Sequence, residues 1–428
     1  MSRERAKRRA MLPKGVATFL PEATRLKRRI EESILGVFSQ WGYQEVVPPI
    51  FEYLDVIGPG LGEDLVEKGY KFVDRSSGRL MLLRPDVTPQ IARMVGTLLA
   101  EQPKPLRLCY RANVFRHEDE HAGRAREIFQ IGGELAGLDG PEGDAEMIAI
   151  AIESMRRLGL KEFRVALGQV EFFRALIGLL GAEPEMARRI GDAVGRKDTA
   201  LLGSLLQGAS IESHLAQAIL AVPRLFGGEE VLDRAENLVL SAECGEALER
   251  LRAVYRLLHD AGWGDFLVID LGDLRGFDYY TGIIFEVFAP DVGFALGRGG
   301  RYDHLVAKFG APCHATGFAF DLEHLQLVLQ RAAAEVPAGA ADLILVEESR
   351  PTERLFALAQ RLRAHGLRVA LMRAGTPLAE ALALARSQGI AAVVMLSDGG
   401  ARVTNVASGR QKSTNLKRLV QTVETLRS

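Results

Sequence analysis

Strand-like segments lie on both sides of a long helical block, and this order of segments constrains the fold most. Runs rich in β-branched and aromatic residues precede residue 176, and further runs such as DFLVIDLGD follow residue 259. Between about 176 and 259 the pattern is almost entirely helical, with strings of Ala, Leu and Arg. This order predicts an α+β fold, in which a largely antiparallel sheet flanked by helices carries a helical insertion.

The rhythm of the sequence changes at the segment AAAEVPAGA, which is typical of a linker. Beyond it, the strand-like runs ADLILVEE, LRVALM and AAVVML alternate with helical runs. Such alternation indicates a small α/β domain with parallel strands. The chain is therefore predicted to consist of a core at 1–331, a linker at 332–341 and a C-terminal α/β domain at 342–428.

A helix is predicted from residues 21 to 41, because apolar residues recur every four positions from Leu26 to Phe38. An extended segment with Pro48 and Pro49 follows it. The two together could form the surface of a homodimer, or they could be an ordinary buried helix–strand pair. The pattern favours neither interpretation.

Composition excludes several classes of protein. Hydrophobic residues make up 47% of the chain and the net charge is −1, so a general attraction for nucleic acid is not expected. The three cysteines (Cys109, Cys244 and Cys313) form no CxxC pair, which argues against a disulfide framework or a zinc site. No signal peptide and no apolar run long enough to span a membrane is found, so a cytoplasmic location is expected.

The stretch LRGFDYYTGIIFEVF, residues 274–288, has too many polar groups for an ordinary core strand. A buried strand is usually a continuous apolar run, and each unpaired polar group inside a protein costs roughly 2–7 kcal/mol. Arg275, Asp278 and Glu286 must therefore satisfy one another or surround a ligand.

Three further segments share this excess of polar residues. In LRPDVT, the alternation of Arg84, Asp86 and Thr88 would place all three on one face of a strand. The segment YRANVFRHEDEHAGRAREIFQ is rich in arginine and acidic residues, and Gln130 and Glu134 follow on one face of the next strand. The last segment is GRGGRYDHL. It is a weak candidate for a phosphate loop, because GxxxxGK[ST] is absent, and a tight turn between close backbones is the alternative.

These segments together favour an amino acid with a heteroaromatic side chain as ligand. Acidic and hydroxyl groups can accept hydrogen bonds from an ammonium group, arginines can hold a carboxylate or phosphate, and flat tyrosines suit a ring. The residues concerned are Asp86, Thr88, Glu134, Arg116, Arg275, Tyr279 and Tyr280. An internal salt-bridge network without a ligand would explain the same spacing equally well. No metal-ligand spacing and no Ser-His-Asp arrangement is evident.

Residues 12–330 resemble the catalytic core of histidyl-tRNA synthetase, which has a class II aminoacyl-tRNA synthetase fold. The resemblance rests on LRPDVT, VFRHE with the later Gln130 and Glu134, RGFDYYTG and GGRYDHL, in the order of that family. It implies that eight residues bind histidine: Asp86, Thr88, Arg116, Gln130, Glu134, Arg275, Tyr279 and Tyr280. The C-terminal domain resembles an anticodon-binding module, although its basic residues Arg402, Arg410, Lys412 and Lys417 are few and suit a solvated face.

The departures from the synthetase pattern concern ATP. The family ends its core with G-F-A-x-G-x-E-R, whose arginine contacts the ATP phosphates, whereas this chain has GFAFDLEHL, with Asp321 for the glycine and His324 for the arginine. An anionic Asp321 repels phosphate, and a largely neutral His324 cannot replace a charged fork. The loop after VFR also differs, with additional acid at Asp119 and Glu120 and with Ala125 where the family has an aromatic residue.

A chain that keeps the histidine-binding motifs but lacks the ATP-contacting arginine resembles the family of regulatory subunits of ATP phosphoribosyltransferase. These subunits are synthetase paralogues that act in histidine biosynthesis. LPKGVATFLP and GFAFDL are similar to that family as well. The resemblance implies a subunit without catalysis or cofactor of its own, in which free histidine is the effector. Its implied partner is the short-form catalytic subunit, in a hetero-oligomer that contains a homodimer of this chain, with tRNA not expected to bind. A divergent histidyl-tRNA synthetase is the alternative, and a binding module with another partner is a third.

Overall fold

A computed structural model gives the fold of the 428-residue chain. It describes residues 12–117, 125–207, 212–274, 276–277, 279–290, 292–331, 341–349, 353–415, 418–419 and 421–422. The chain divides into two compact units, Met1–Ala334 and Glu335–Ser428, each with hydrophobic clusters of its own. Residues 332–340 of the predicted linker lie outside the described residues, so the linker and the roles assigned to the two units stay predictions. No described helix is both long and apolar enough to cross a membrane.

The first unit contains two β-sheets and the helices around them. Its strands are β1 (Gln44–Glu45), β2 (Phe51–Tyr53), β3 (Lys71–Val73), β4 (Leu80–Leu83), β5 (Leu106–Phe115), β6 (Glu127–Ala136), β7 (Arg164–Gln169), β8 (Phe226–Gly227), β9 (Leu267–Asp270), β10 (Ile283–Phe288), β11 (Gly297–Arg301) and β12 (Ala315–Asp321). Its helices are α1 (Pro21–Gln40), α2 (Leu54–Ile57), α3 (Glu63–Lys68), α4 (Thr88–Gly96), α5 (Pro141–Arg157), α6 (Val170–Leu179), α7 (Pro184–Gly195), α8 (Thr199–Gln207), α9 (Ser213–Ala221), α10 (Glu230–Glu236), α11 (Ala242–Leu258) and α12 (Leu322–Arg331).

The main sheet is largely antiparallel. Among the described residues it has nine strands in the order β1-β5-β6-β12-β11-β10-β7-β9-β8, and only the pairs β1–β5 and β7–β9 are parallel. Strands β2, β4 and β3 form a small separate sheet. The predicted α+β fold, with a mainly antiparallel sheet flanked by helices, is confirmed. The helices α6–α11 lie between β7 and β9 in sequence and form the insertion, which also contains the two-residue strand β8 that the helical pattern did not indicate.

The glycine-rich segment GRGGR is a strand and not a phosphate loop or a tight turn. Its residues form β11, whereas the segment VGFALG, whose apolar residues favour a strand, lies mostly in the preceding loop. Glycine is required here because the neighbouring chain comes very close. A Cβ at Gly299 would lie 2.4 Å from the carbonyl oxygen of Gly317, and one at Gly300 would lie 2.7 Å from that of Ile283.

The two faces of the main sheet differ in the size of their side chains. Residues paired across neighbouring strands project to the same face. One face carries large apolar side chains, such as Phe285, Phe318 and Phe320, and packs against helices α1 and α5. The apolar side of α1, which we left open as a dimer surface, is buried in this core, with Ile34 and Phe38 fully covered. The other face carries glycine and alanine at several adjacent positions and is therefore open to a ligand.

The second unit is a five-stranded sheet covered by helices. Its strands are β13 (Leu343–Glu347), β14 (Val369–Leu371), β15 (Ala392–Ser397), β16 (Gly400–Asn405) and β17 (Gln411–Thr414), and its helices are α13 (Glu353–Ala364) and α14 (Leu378–Ser387). The order is β14-β13-β15-β16-β17. The first three strands are parallel, as the alternating pattern predicts, and the last two continue the sheet as an antiparallel hairpin. Separate apolar clusters lie on its two faces.

A buried ion pair ties the end of β11 to helix α5. The side chains of Arg301 and Asp144 are each only 1% exposed, and Nε of Arg301 lies 3.0 Å from both carboxylate oxygens. The remaining guanidinium nitrogens donate to the carbonyl oxygens of Leu138 and Gly140 and to Asp303. Because both charges are out of water, each depends on the other.

We predict that Arg301→Met destabilises the first unit by about 3 kcal/mol, because it leaves the buried Asp144 carboxylate with only the more distant guanidinium of Arg250, 4.0 Å away, among the described residues. The double variant Arg301→Met/Asp144→Leu removes both charges and should regain most of the loss. Urea unfolding followed by circular dichroism measures both changes. A single variant as stable as the wild type, or a double variant no better than the single one, would contradict this account.

Candidate functional site

The open face of the sheet centres on the carboxylate of Glu134. This residue lies on β6, is only 2% exposed, and is paired across the sheet with Gly317 of β12. A Cβ at position 317 would lie 1.6 Å from Oε2 of Glu134, so only glycine leaves room for the carboxylate. The neighbouring positions Gly132 and Gly300 also lack side chains, and together they form a flat floor beside Glu134.

Three hydroxyl groups donate hydrogen bonds to Glu134. Thr88 Oγ1 lies 2.8 Å from Oε1, Tyr110 Oη lies 3.4 Å from Oε1, and Tyr302 Oη donates to Oε2. These bonds favour the ionised carboxylate, but burial opposes it more strongly. Burial, with a smaller contribution from the nearby Asp86, raises the pKa of Glu134 to about 8. The carboxyl group is therefore mostly protonated at neutral pH, and a cation placed beside it would favour its ionisation.

Asp86 and Arg116 lie at the edge of the same site. The expected strand alternation of Arg84, Asp86 and Thr88 is wrong, because β4 ends at Leu83 and Thr88 begins α4. Oδ1 of Asp86 instead accepts the backbone N–H of Thr88 at 3.1 Å, which fixes the carboxylate at the start of the helix. Nη2 of Arg116 lies 3.7 Å from Oδ2 of Asp86, and its Nε donates to the carbonyl oxygen of Pro85 at 2.7 Å. Both side chains remain partly exposed, at 29% and 24%, so both can reach a ligand.

Two tyrosines form the wall of the site. The rings of Tyr279 and Tyr280 meet edge to face with centroids 4.9 Å apart, and Tyr279 also stacks on Tyr302 at 5.6 Å. The ring of Tyr280 lies within 3 Å of where a Cβ would stand at Gly276 or Gly300, so these glycines make room for it. Gly276 has φ +70°, a backbone conformation that other residues rarely adopt.

Gln130 lies on the same face of β6, four residues before Glu134, and is paired with Ala112 and Asp321 on the neighbouring strands. Its Oε1 is buried and has no hydrogen-bond partner among the described residues. A buried amide oxygen without a donor is unfavourable, so a ligand N–H at this point would stabilise it.

The structure thus brings seven of the eight predicted site residues to one face of the sheet, and the eighth, Arg275, lies outside the described residues, as does Asp278. Sequence analysis missed the two tyrosines Tyr110 and Tyr302. Tyr302 lies within the quoted GGRYDHL motif, whereas Tyr110 carries no signal beyond its place in a strand. Glu286, which we expected to need a polar partner inside the protein, has one: its carboxylate pairs with Arg298 on the adjacent strand.

Asp321 and His324 lie at the far end of the floor, at the positions where the histidyl-tRNA synthetase motif has glycine and the ATP-contacting arginine. Both side chains have partners within the chain. Oδ1 of Asp321 accepts the backbone N–H groups of Glu323 and His324, at 3.0 and 3.3 Å, and so caps helix α12. The imidazole of His324 stacks on Phe294 at 4.0 Å, and its Nδ1 lies 2.9 Å from the carbonyl oxygen of Ala295.

This end of the floor is acidic. Burial, with Asp321 and Glu127 nearby, raises the pKa of Glu323 to about 7. The carboxylates of Asp321 and Glu323 are unfavourable for a triphosphate, and the described guanidinium on the same face, that of Arg298, pairs with Glu286. Asp119 and Glu120 of the preceding loop lie outside the described residues, and no group of metal-ligating side chains occurs in the part of the chain that the structure describes.

Comparisons of the sequence with known proteins identify its relatives. The family model described as histidyl-tRNA synthetase matches residues 15–325. A relative from Syntrophotalea carbinolica is 39% identical over 410 residues, which cover 95% of this chain and 96% of the relative. One from Geobacter sulfurreducens is 41% identical over 357 residues, covering 83% and 82%. Both relatives are named ATP phosphoribosyltransferase regulatory subunit.

Solved structures show the same fold. A protein from Bacillus halodurans, described as an ATP phosphoribosyltransferase regulatory subunit/histidyl-tRNA synthetase, superposes with a TM-score of 0.79 at 28% identity over 90% of this chain and 98% of its own. Histidyl-tRNA synthetase from Nostoc sp. superposes with a TM-score of 0.78 at 20% identity over 98% of this chain and all of its own, which supports the fold alone.

The family that we identified from the sequence motifs is thus confirmed over nearly the whole length of the chain. The match to the Syntrophotalea carbinolica relative includes the C-terminal unit, because it extends over 95% of the chain. The chain belongs to the family of ATP phosphoribosyltransferase regulatory subunits, built on the fold of histidyl-tRNA synthetase.

Proposed function

We propose that this chain is a non-catalytic regulatory subunit that supports the first step of histidine biosynthesis and carries the feedback signal. In this proposal it pairs with a short-form catalytic ATP phosphoribosyltransferase subunit, and free histidine binds at Glu134. The observation that carries the proposal is the contrast within one sheet face. A polar pocket that suits an amino acid surrounds Glu134, while Asp321 and His324 occupy the end where a synthetase needs a cation for ATP.

Histidine fits the pocket by its three functional groups. Its ammonium group would lie beside the carboxylates of Glu134 and Asp86, with Thr88 as a further acceptor. Its carboxylate would face Arg116, the described arginine at the edge of the pocket, and Arg275 is proposed to lie nearby. Its imidazole would pack against Tyr279 and Tyr280. An N–H of the ligand would then have the buried Oε1 of Gln130 as an acceptor.

Regulation follows if histidine binds one state of the hetero-oligomer more tightly than another. A ligand shifts an equilibrium only by its difference in affinity between the two states, and such coupling is typically about 1–3 kcal/mol. Thermodynamic reciprocity requires that substrates of the catalytic subunit then alter the affinity for histidine by the same factor.

A divergent histidyl-tRNA synthetase remains the second candidate, favoured by Arg116, which keeps the VFR arginine of that family. It requires nucleotide binding at the acidic end of the floor, where Asp321 and Glu323 are unfavourable. The two candidates therefore differ in whether ATP is used.

A homodimer of this chain is part of the proposal, and one surface suits it. Beyond α1, the side chains of Val47 and Ile50 are 85% and 47% exposed, and Phe51 and Phe72 of the small sheet are 48% and 37% exposed with their rings 5.5 Å apart. Large apolar side chains exposed in one short stretch, with two aromatic rings in contact, are typical of a protein interface.

We predict that histidine binding releases a proton from Glu134. At pH 7.5 a carboxyl group with a pKa of about 8 is mostly protonated, and an ammonium group beside it lowers that pKa, so about 0.5–1 proton should leave per histidine bound. Affinity should accordingly rise as the pH increases from about 6.5 to 8. Calorimetric titration in buffers of different ionisation enthalpy measures the released protons.

Glu134→Gln should abolish this proton release and weaken histidine binding by about tenfold to a hundredfold, because it removes a buried charged acceptor. Glu323→Gln is the matched control, since Glu323 also has a raised pKa but lies at the other end of the floor; it should keep both binding and proton release. Binding without proton release in the wild type would exclude Glu134 as the ammonium partner.

We predict that the chain makes a short-form catalytic subunit active in phosphoribosyl transfer and sensitive to histidine, and that it shows no ATP–pyrophosphate exchange with histidine. The first result follows from the proposed partnership, and the second from the missing phosphate contacts. Both are measured with purified proteins. Robust exchange would overturn the regulatory assignment in favour of the synthetase, and failure to stimulate the catalytic subunit would also contradict it.

We predict that Phe51→Asp/Phe72→Asp converts a dimer into a monomer, because charges in an apolar interface lose their solvation on association. Phe226→Asp is the control, since Phe226 is 53% exposed but lies on the helical insertion. Analytical ultracentrifugation measures the mass of each variant. A wild-type chain that is monomeric at micromolar concentration, or a double variant that stays dimeric, would exclude this surface.

A further inference from the structure

The loop between β9 and β10 carries both tyrosines of the pocket wall, and its described backbone folds back on itself. The N–H groups of Tyr279 and Tyr280 donate to the carbonyl oxygen of Gly276 at 2.8 and 2.9 Å. At its far end the N–H of Thr281 donates to the carbonyl oxygen of Arg301 at 2.7 Å. The first two contacts give the loop its shape, and the third ties its end to β11, next to the bond from the N–H of Asp303 to Oγ1 of Thr281.

One side chain from the helical insertion, that of Arg174, donates hydrogen bonds to this loop. Nη2 of Arg174, on helix α6, donates to the carbonyl oxygens of Phe277 at 2.7 Å and of Tyr280 at 2.9 Å. Its guanidinium also lies over the ring of Phe277, 4.9 Å from the centroid, and that ring packs edge to face on Phe173 of the same helix. A single guanidinium thus bridges two carbonyl groups three residues apart, next to the pocket tyrosines.

Arg174 is not explained by the ordinary packing of α6. Its side chain is 39% exposed and lines a cleft of about 880 Å³, together with Glu171 and acidic residues of α11. Its distance to the Glu171 carboxylate is 3.9 Å, and both groups are well exposed, so this ion pair contributes little. The hydrogen bonds to the loop are the close polar contacts that the described residues offer it.

We infer that Arg174 is a positioning residue of the pocket: it holds the loop with Tyr279 and Tyr280 against the helical insertion and thereby sets the affinity for the ligand. This inference rests on the proposed function for the identity of the ligand, histidine. It gives the insertion a role in regulation, because any movement of α6 relative to the sheet acts on the pocket wall through this guanidinium. Without Arg174, the partly buried carbonyl groups of Phe277 and Tyr280 would lose this donor.

Hydrogen exchange tests the positioning without any ligand. In Arg174→Ala the amides of Tyr279 to Thr281 should exchange about tenfold faster or more, because local opening of the loop becomes easier, while those of β10 stay unchanged. Arg174→Lys should restore much of the protection, since an ammonium group can donate to both carbonyl oxygens. Glu171→Gln is the control on the same helix and should leave the loop unaffected.

Calorimetry with histidine tests the consequence for the pocket. Arg174→Ala should bind about tenfold more weakly than the wild type, Arg174→Lys should lie between them, and Glu171→Gln should match the wild type within about twofold. Unchanged loop exchange in Arg174→Ala overturns the inference, and so does faster exchange with unchanged affinity. General acceleration throughout β10 and the core strands also overturns it, because Arg174 would then be a stability residue. If the wild-type chain itself binds no histidine, the proposed function fails, and the exchange experiment alone decides whether Arg174 positions the loop.

Discussion

The pocket depends on a buried carboxylate that lies over a floor of glycine. Gly317 faces Glu134 directly, and any side chain there would occupy the space of the carboxylate. The hydroxyl groups of Thr88, Tyr110 and Tyr302 then meet at its two oxygens. The glycine floor and the hydrogen bonds to Glu134 therefore depend on each other, because the strands must lie close together for the three hydroxyl groups to reach the carboxylate. The opposite face, with its large aromatic side chains and the Arg301–Asp144 pair, provides the rigid support that such an open face requires.

Much of this arrangement could be predicted from the sequence, because it follows local periodicity. The even spacing of Gln130 and Glu134 correctly indicated one strand face, and the antiparallel character of the sheet followed from the order of segments. Tyr110 and Tyr302 could not be found in this way, since they lie 24 and 168 residues from Glu134 and meet it only through the register of separate strands. The close approach of backbones at GRGGR was predicted, but it was assigned to a turn, because the pairing of this segment with neighbouring strands leaves no local pattern.

The helical insertion illustrates a different limit. Its sequence pattern is that of ordinary packed helices, and nothing in it indicates chemistry. The structure nevertheless gives Arg174 two backbone partners in the pocket loop, about a hundred residues further along the chain. Contacts from a side chain to a carbonyl group leave no trace in composition or periodicity, since any residue can supply the acceptor. Such links become visible only when the elements are seen together.

The cap that Asp321 provides to α12 also affects what would follow from introducing the synthetase residues at positions 321 and 324. Placing an arginine at position 324 would set the new cation beside a carboxylate that is already committed to the helix. Replacing Asp321 by glycine as well would remove the side-chain acceptor for two N–H groups, at a cost of a few tenths to about 2 kcal/mol. Neither substitution alone would restore the synthetase pair of residues, and replacing Asp321 also destabilises helix α12. Asp321 is thus part of the architecture of α12, so exchanging these two residues one at a time for the synthetase pair is unfavourable.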